Sequence, residues 1–267
     1  MIEIEAYMLF SSSGGNSAYV RNGNTEILID AGVSAKQIEM ALAKLGTCLG
    51  NIKAIFVTHE HIDHIKGLDV ICRHYPIPVY APYESCEFIA STMPWTNDHI
   101  IGIQDNEGVS LENMEICPFS TPHDALGSVG YRLDLGGSLF GYATDIGHLT
   151  DKIKSALSGC KNVVIESNYD LEMLWNGVYP PNTKKRIAGE KGHLSNGECA
   201  AFLPHLARQG AKNFVLAHLS ENCNKPHYAH AESRGALNAA GFSVSEENNE
   251  TDIRLVAACP RNIVRII

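Results

Sequence analysis

The sequence predicts an α/β fold in which two β-sheets pack face to face and helices lie outside them. Strand-like segments dominate the first third of the chain, and strands then alternate with helical segments, so the chain falls into two comparable halves. The size agrees with this fold, because 267 residues with 45% hydrophobic and 19% charged side chains can bury a sizeable core. We therefore expect a folded globular protein rather than a disordered one.

The elements follow from local patterns. Strands are predicted over 2–9 and 53–58, and a hairpin over 18–29. Residues 34–45 have helical spacing, with apolar residues on one face, and a further helix is expected to start near Ile65. The later strands are predicted at 138–142, 162–166, 213–217 and 253–259, and the later helices at 196–209 and 229–240.

Charge and cysteine usage limit the possible classes of protein. The chain has 30 acidic and 21 basic residues, a net charge of −9, which excludes a nucleic-acid grip based on general basicity but allows a local basic patch. The N-terminus lacks the basic and apolar regions of a signal peptide, and no segment is apolar enough to span a membrane. The eight cysteines are scattered without a CxxC pair, which disfavours a disulfide scaffold and predicts a cytoplasmic protein.

The strongest signal is the run His-Glu-His-Ile-Asp-His over residues 59–64. In an extended backbone residues i and i+2 face the same side, so His59 and His61 can bind one ion together. Asp63 and His64 follow the turn and can face a second ion. Four residues of ligand type within six positions, directly after an apolar strand, predict a metal site rather than a polar surface loop.

This run resembles the HxHxDH motif of the metallo-β-lactamase superfamily. The other motifs of that superfamily occur in order as Asp30 in Ile29-Asp30-Ala31-Gly32, His123 in Thr121-Pro122-His123-Asp124, Asp145 in Tyr142-Ala143-Thr144-Asp145 and His218 in Val215-Leu216-Ala217-His218. The resemblance implies a four-layer αββα sandwich of two mixed β-sheets. It also implies a single domain over residues 1–267.

The resemblance implies two divalent metal ions per chain and a role for each motif residue. Zn²⁺ is favoured because the ligands are rich in imidazole, and Mn²⁺ or Fe²⁺ is compatible. Asp30 would orient ligands by hydrogen bonds. The implied ligands are His59, His61 and His123 for the first ion, Asp63, His64 and His218 for the second, and Asp145 between them. Five other histidines are expected to be non-ligands, namely His74, His99, His205, His227 and His230, whereas His148 could line the site.

A second pair of residues narrows the chemistry. Glu166 ends an apolar strand and His193 precedes a predicted helix, and the pair resembles the glutamate and histidine motifs of ribonuclease Z. A histidine held by a carboxylate can protonate the oxygen that leaves phosphorus. The resemblance therefore implies a phosphodiester hydrolase with Asp63, His193 and Glu166 as catalytic residues and a hydroxide bridging the two metal ions.

The finer resemblance is to the YycJ/WalJ group of bacterial metallohydrolases, related to ribonuclease Z and PhnP-type phosphodiesterases. It rests on the segments 11–17, 191–196 and 218–224. That group implies a DNA 5′-to-3′ exonuclease, with a nucleic acid or another phosphodiester as substrate, DNA favoured, and no membrane partner. Asp145 and His218 are only 73 positions apart, which leaves no room for the inserted domain of β-CASP nucleases.

Two further segments could contact phosphates. Lys184, Lys185 and Arg186 form the densest basic stretch of this acidic chain, and they either border the catalytic groove or lie on an exposed helix face. The Gly/Ser segment 11–17 could offer backbone N–H groups, although an ordinary strand connection is the favoured interpretation.

Two other functions remain open at this point. A lactone or thioester hydrolase of the same fold would need no proton-donating histidine at position 193. A non-catalytic metal-binding regulator of cell-wall signalling is the second alternative, and the open, carboxylate-rich ligand set counts against it.

Overall fold

The fold is described by a computed structural model for residues 4–247, 252–259 and 262–267. Seven of the described strands form the first sheet: β1 (Ile4–Phe10), β2 (Ser17–Asn22), β3 (Thr25–Ile29), β4 (Ile52–Phe56), β5 (Val79–Pro82), β6 (Ile100–Ile103) and β15 (Val264–Arg265). Their order is β15-β1-β2-β3-β4-β5-β6. Strands β3 to β6 run parallel and the others pair antiparallel, so the sheet is mixed.

The second sheet contains eight described strands: β7 (Val109–Leu111), β8 (Met114–Ser120), β9 (Val129–Asp134), β10 (Leu139–Ala143), β11 (Asn162–Glu166), β12 (Asn213–Ala217), β13 (Val244–Ser245) and β14 (Ile253–Ala257). Their order is β13-β14-β12-β11-β10-β9-β8-β7. The half from β13 to β10 is parallel and the half from β10 to β7 is antiparallel.

Helices pack on the outer faces of both sheets, and further short helices lie in the connections between strands. They are α1 (Ala35–Lys44), α2 (Ile62–Ile65), α3 (Leu68–His74), α4 (Tyr83–Thr92), α5 (Asp151–Leu157), α6 (Leu171–Asn176), α7 (Pro181–Ile187), α8 (Asn196–Arg208) and α9 (Pro226–Ala239). Phe56 and Tyr131 lie in the apolar layer between the sheets, Ile38 packs outside the first sheet, and Leu203 and Leu237 pack outside the second. The predicted αββα sandwich of two mixed sheets is confirmed. None of the described helices is long and apolar enough to cross a bilayer.

Local signals account for the best-predicted elements. The predicted helix over 34–45 is α1, and Ser34 and Gln37 form a capping box at its start. The hairpin is present as β2 and β3, with Gly23 at a φ of 60° in the turn. Of the predicted first strand, Ile2 and Glu3 lie outside the described residues.

The helix expected near Ile65 was placed too late along the chain. Helix α2 begins at Ile62, with His61 as its N-cap, and α3 follows after Gly67. Asp63 and His64 are therefore helical residues rather than residues of a turn. The sequence did not reveal this helix start, because three of the first four residues after His59 are polar or charged, as is typical of a loop.

Candidate metal centre

The candidate site lies where strands from both sheets end. Parallel strands place their carboxyl ends at one edge of a sheet, so residues that follow them in sequence meet there. The side chains that converge follow β3 (Asp30), β4 (His59), β8 (His123), β10 (Asp145) and β12 (His218), or end β11 (Glu166). Both sheets thus supply residues to one cluster.

Three of these residues have a left-handed backbone. Asp30, Asp145 and His218 have φ values of 63°, 56° and 53°, a region that non-glycine residues seldom adopt. Each comes one or two residues after a strand, and the positive φ turns the chain sharply at that point. Strain of this kind persists only where the surrounding structure imposes it, and it is concentrated at functional sites.

The first group of potential ligands consists of three histidines. His59, His61 and His123 offer ring nitrogens that all lie within 4.8 Å of one another. Their ring centroids are 4.5 to 5.1 Å apart, and the planes are nearly perpendicular. The i and i+2 spacing of His59 and His61 brings them together as predicted, and His123 comes from the opposite sheet.

The second group combines Asp63, His64 and His218, whose ligand atoms also lie within 4.8 Å. Asp63 Oδ2 is 3.5 Å from His64 Nε2 and 3.6 Å from His218 Nε2. Asp145 lies between the two groups, with Oδ2 at 3.4 Å from His64 Nε2 and Oδ1 at 3.6 Å from His123 Nε2. This is the place of a carboxylate that could contact two ions.

Hydrogen bonds orient the imidazole rings. His64 Nδ1 lies 2.7 Å from Asp30 Oδ2, and His218 Nδ1 lies 2.8 Å from Glu166 Oε1. His123 Nδ1 lies 3.1 Å from the Gly192 carbonyl oxygen. When Nδ1–H donates to an acceptor, the Nε2 lone pair is left to point into the cluster, which is how metal-binding histidines are usually held.

The cluster passes a test for metal binding that uses only its own atoms. Four buried atoms of the candidate ligands have no hydrogen-bond partner among the described residues: His59 Nε2, His123 Nε2, His218 Nε2 and Asp145 Oδ2. Unpaired buried polar atoms are costly, so their convergence calls for a further group. Burial lowers the pKa of His59 and His123, which keeps both rings neutral and able to donate a lone pair to a cation.

Glu166 is fully buried and organises one side of the site. Its Oε1 accepts hydrogen bonds from His193 Nδ1 at 2.9 Å and from His218 Nδ1 at 2.8 Å. Its Oε2 accepts from the backbone N–H groups of Ile146 at 2.7 Å and Leu194 at 3.0 Å. The predicted contact with His193 is thus present, and the contact with His218 links the same carboxylate to the second ligand group.

The electrostatics favour ionised carboxylates. Burial raises the pKa of Glu166, but the charge of His193 and the hydrogen bonds from His193 and His218 outweigh it and hold that pKa well below its usual range. Burial likewise opposes ionisation of Asp63, whose pKa is nevertheless held far below its usual range by the imidazoles of His218 and His64, whose Nε2 atoms lie 3.6 and 3.5 Å from its Oδ2. Both side chains are therefore anionic at neutral pH.

Two residues to which sequence reasoning gave no role complete the site. Glu60 is buried, and its carboxylate accepts from Ser85 Oγ and from the Leu126 N–H, each at 2.7 Å, so it ties the metal motif to the loop that carries His123. Asn16 Nδ2 lies 3.1 Å from His64 Nε2. The sequence could have indicated Glu60, because this residue lies inside the histidine motif. It gave no indication of the contact between Asn16 and His64, because the two residues are 48 positions apart.

The Gly/Ser segment 11–17 connects β1 with β2 at the edge of the site. Ser11 Oγ accepts from the His218 N–H at 2.8 Å, and Asn16 N–H donates to the Asp63 carbonyl at 2.8 Å. These two hydrogen bonds of segment 11–17 thus hold in place the backbone at the candidate ligands His218 and Asp63.

The basic stretch lies on α7. Arg186 Nε is 2.6 Å from Asp124 Oδ2, and Lys184 Nζ donates to the Trp175 carbonyl at 2.8 Å. Lys185 is exposed. Contacts between these three basic residues and a phosphate remain a prediction. Asp124 balances part of the Arg186 charge.

The remaining histidines lie outside the ligand groups. His148 is exposed, and its Nδ1 is 2.9 Å from the Glu190 carbonyl. The five histidines expected to be non-ligands, His74, His99, His205, His227 and His230, belong to none of the potential metal-binding groups found among the described residues.

Comparisons with known proteins agree with this geometry. A family model described as a beta-lactamase superfamily domain matches residues 25–219. Exodeoxyribonuclease YycJ of Bacillus anthracis is 33% identical over 253 residues, covering 93% of this chain and 95% of that protein. Exodeoxyribonuclease WalJ of Streptococcus pneumoniae is 30% identical over 258 residues, covering 95% of each. The structure of Zn²⁺-bound PqqB from Methylobacterium extorquens shares the fold, with a TM-score of 0.71 at 15% identity over 97% of this chain and 99% of that one.

The chain belongs to the metallo-β-lactamase superfamily. It is a metal-dependent hydrolase, and the predicted resemblance to the YycJ/WalJ group is confirmed. The superfamily and the clustered histidine and aspartate side chains together imply divalent metal ions at the site described above.

Proposed function

We propose that this protein is a dinuclear metal-dependent phosphodiesterase that removes nucleotides from the 5′ end of DNA. The observation that carries the proposal is the pairing of His193 with the buried carboxylate of Glu166 beside the two ligand groups. A proton-donating histidine at this place suits the expulsion of an alkoxide from phosphorus and is unnecessary for a lactone or thioester hydrolase. The names of the relatives, both exodeoxyribonucleases, support DNA as the substrate.

The proposed ligand sets follow the geometry of the two groups. His59, His61 and His123 would hold the first ion, and Asp63, His64 and His218 the second. Asp145 would contact both ions, and Asp30 would hold the His64 ring through Nδ1. Zn²⁺ is favoured by the many imidazoles, and Mn²⁺ and Fe²⁺ suit the same ligand types.

Each catalytic side chain has a distinct task. When bound, two divalent ions would activate water and polarise the phosphate. The His193 side chain is 16% exposed and its Nδ1 faces Glu166, so Nε2 is the atom that can give a proton to the leaving oxygen. The Glu166 carboxylate stabilises the protonated ring and fixes its orientation. Asp63, 21% exposed, can accept a hydrogen bond from the attacking water.

The organisation of the chain and its location belong to the same proposal. We propose a single domain over residues 1–267, in which α5, β11, α6, α7, α8 and β12 occupy the interval between Asp145 and His218 instead of a β-CASP insertion. All eight cysteines are free, as a reducing cytoplasm would keep them.

The test separates metal binding from proton transfer. Metal content is measured by elemental analysis, and hydrolysis is followed on bis-p-nitrophenyl phosphate, end-labelled DNA duplexes with a 5′-phosphate and a panel of acyl-lactones. His193→Ala should keep its metal and lose about 10²- to 10⁴-fold in DNA hydrolysis, the usual contribution of a general acid, and lose less on bis-p-nitrophenyl phosphate, whose nitrophenolate leaves without a proton. Asp145→Ala should lose metal, and His148→Ala, the exposed control, should behave like the wild type.

Two results would contradict the proposal. A metal-loaded His193→Ala protein with unchanged activity on DNA would remove the assigned role of the histidine. A wild-type protein that hydrolyses lactones and leaves every phosphodiester intact would replace the function itself, and end-labelling decides the direction of digestion.

A further inference from the structure

A short helical arm beside the site carries features that the proposed hydrolysis does not use. The arm comprises residues 171–191 and contains α6 and α7. Three of its apolar side chains are exposed: Leu171 at 58%, Trp175 at 46% and Val178 at 95%. Leu174 of the same helix is fully buried, so the arm packs on the body through one side and presents an apolar face to solvent on another. Such patches mark contact surfaces.

The arm is also locally basic in an acidic chain. Residues 171–191 contain four basic side chains and two acidic ones, although the whole chain has a net charge of −9. Lys184 Nζ donates to the carbonyl of Trp175 at 2.8 Å, which places a cation directly beside the exposed aromatic residue. Lys185 and Lys191 are exposed and form no ion pair with any residue the structure describes.

Three contacts fix the arm to the rim of the metal centre. The Ile187 carbonyl at the end of α7 accepts the N–H of His193 at 2.8 Å. Arg186 binds Asp124, the residue after His123, and Tyr179 OH accepts from Asn222 Nδ2 at 2.7 Å. The arm is thus attached to the loop of the first ligand group and to the loop that follows His218. The arm therefore borders the site on the side of His193.

We propose that this arm is a binding surface for single-stranded DNA, with bases stacked on Trp175 and phosphates held by Lys184, Lys185 and Lys191. The inference rests on the proposed function. Exposed aromatic rings interleaved with cations are the arrangement by which proteins hold single strands without reading their sequence, because every base has a stacking face and every linkage a charge. The positive arm on a negative protein also confines a polyanion to the vicinity of His193.

The test compares two substrates of different length in the same metal-loaded protein. The kcat/KM for a 5′-phosphorylated oligothymidylate is divided by the kcat/KM for bis-p-nitrophenyl phosphate, which is too small to reach from the metal centre along the arm. Trp175→Ala should lower this ratio about tenfold, the loss expected for one stacked base. The matched control is Trp95→Ala, because Trp95 is the other tryptophan of the chain, is 52% exposed and has the guanidinium of Arg73, a residue of α3, over its ring.

A second variant tests the cations separately. Removing one phosphate contact reduces the slope of log affinity against log salt by about 0.7 for a single strand. Lys185→Ala should therefore flatten the salt dependence of oligothymidylate binding, measured by fluorescence anisotropy, whereas Lys36→Ala on α1 should not.

Failure of the arm inference can be distinguished from failure of the proposed function. If wild-type protein cleaves the oligonucleotide and Trp175→Ala retains the wild-type ratio, the arm inference is overturned and the proposed function stands. If wild-type protein cleaves bis-p-nitrophenyl phosphate and leaves the oligonucleotide intact, the proposed function on DNA is wrong, and the arm inference that rests on it is wrong too. If light scattering shows that Trp175→Ala converts an oligomer into a monomer, with the ratio unchanged, the exposed face is a contact between copies of the chain and the inference is overturned.

Discussion

Single residues around the metal centre tolerate little change, and Gly32 shows why. A Cβ at this position would lie 1.7 Å from the Asp63 carbonyl oxygen and 2.6 Å from the Asn16 nitrogen. Gly32 N–H donates to the Asn16 carbonyl, and Asn16 N–H donates to that of Asp63, both at 2.8 Å. The loop that begins with Asp30 is therefore pressed against the backbone of the histidine motif, and only a residue without a side chain allows it.

Replacing Gly32 with Ala is expected to destabilise the protein and to displace Asp63. Overpacking of this kind costs about 1–3 kcal/mol. Urea unfolding should show that loss, and elemental analysis should show reduced metal content because Asp63 is a proposed ligand.

A second glycine provides the control for this prediction. Gly235 lies in α9, and an added Cβ would meet no atom within 4 Å. Gly235→Ala should leave metal content intact and stabilise the protein by up to about 1 kcal/mol through helix propensity. Equal stability and equal metal content in both variants would refute the close contact at Gly32.

At the scale of elements, helix α8 positions the proposed proton donor. The helix starts three residues after His193, and its capping box joins Ser195 and Glu198 through hydrogen bonds of 3.1 and 3.2 Å. Leu194, between the histidine and the cap, donates its N–H to Glu166. Because the start of α8 and the Glu166 carboxylate are joined in this way, the angle at which His193 enters the site depends on where the helix begins.

Loss of the cap is expected to affect both stability and catalysis. Ser195→Ala should cost about 1 kcal/mol of the free energy of unfolding, the usual value for an N-cap serine. It should also lower kcat on 5′-phosphorylated DNA several-fold, because His193 loses part of its support.

The other capping box of the described helices, at Ser34 of α1, gives a comparison. Ser34→Ala should cost a similar free energy, measured by urea unfolding, and leave kcat within twofold of the wild type. If the two variants change kcat equally, the start of α8 has no special role in placing His193.

At the scale of the whole molecule, the metal centre joins the two sheets. His59 and His61 follow a strand of the first sheet, whereas His123, Asp145 and His218 follow strands of the second. Ions bound between them would cross-link the layers of the sandwich. Binding to the folded state alone stabilises a protein by about 2.7 kcal/mol when free metal is at 100 times its Kd.

Metal removal is accordingly expected to lower the melting temperature. For a chain of this size 1 kcal/mol shifts Tm by about 2–4 °C, so dialysis against a chelator should lower Tm by about 5–10 °C in differential scanning calorimetry. Restoring Zn²⁺ should reverse the change. A His123→Ala protein should start from a lower Tm and respond less to the chelator, and a wild-type Tm indifferent to the chelator would contradict the cross-link.

The sequence predicted those features that depend on neighbours along the chain. The alternation of His59 and His61 and the strand ends before Asp145 and His218 follow from local spacing. The pairing of Glu166 with His193 followed from the family resemblance, because the two residues are 27 positions apart. The start of α2 was misplaced for a local reason as well, because the polar residues there resemble a loop although they form a helical turn.

Tertiary structure alone decided how these residues serve one another. The second hydrogen bond of Glu166, to His218, and the support of the His123 loop by Glu60 arise because strands of two sheets end at one edge. The two contacts join residues that are 52 and 66 positions apart. A local sequence pattern cannot predict which distant polar side chains will contact each other. The amino-acid sequence by itself thus determined the chemistry available to this protein, and the packing of its sheets decided which atoms face each other.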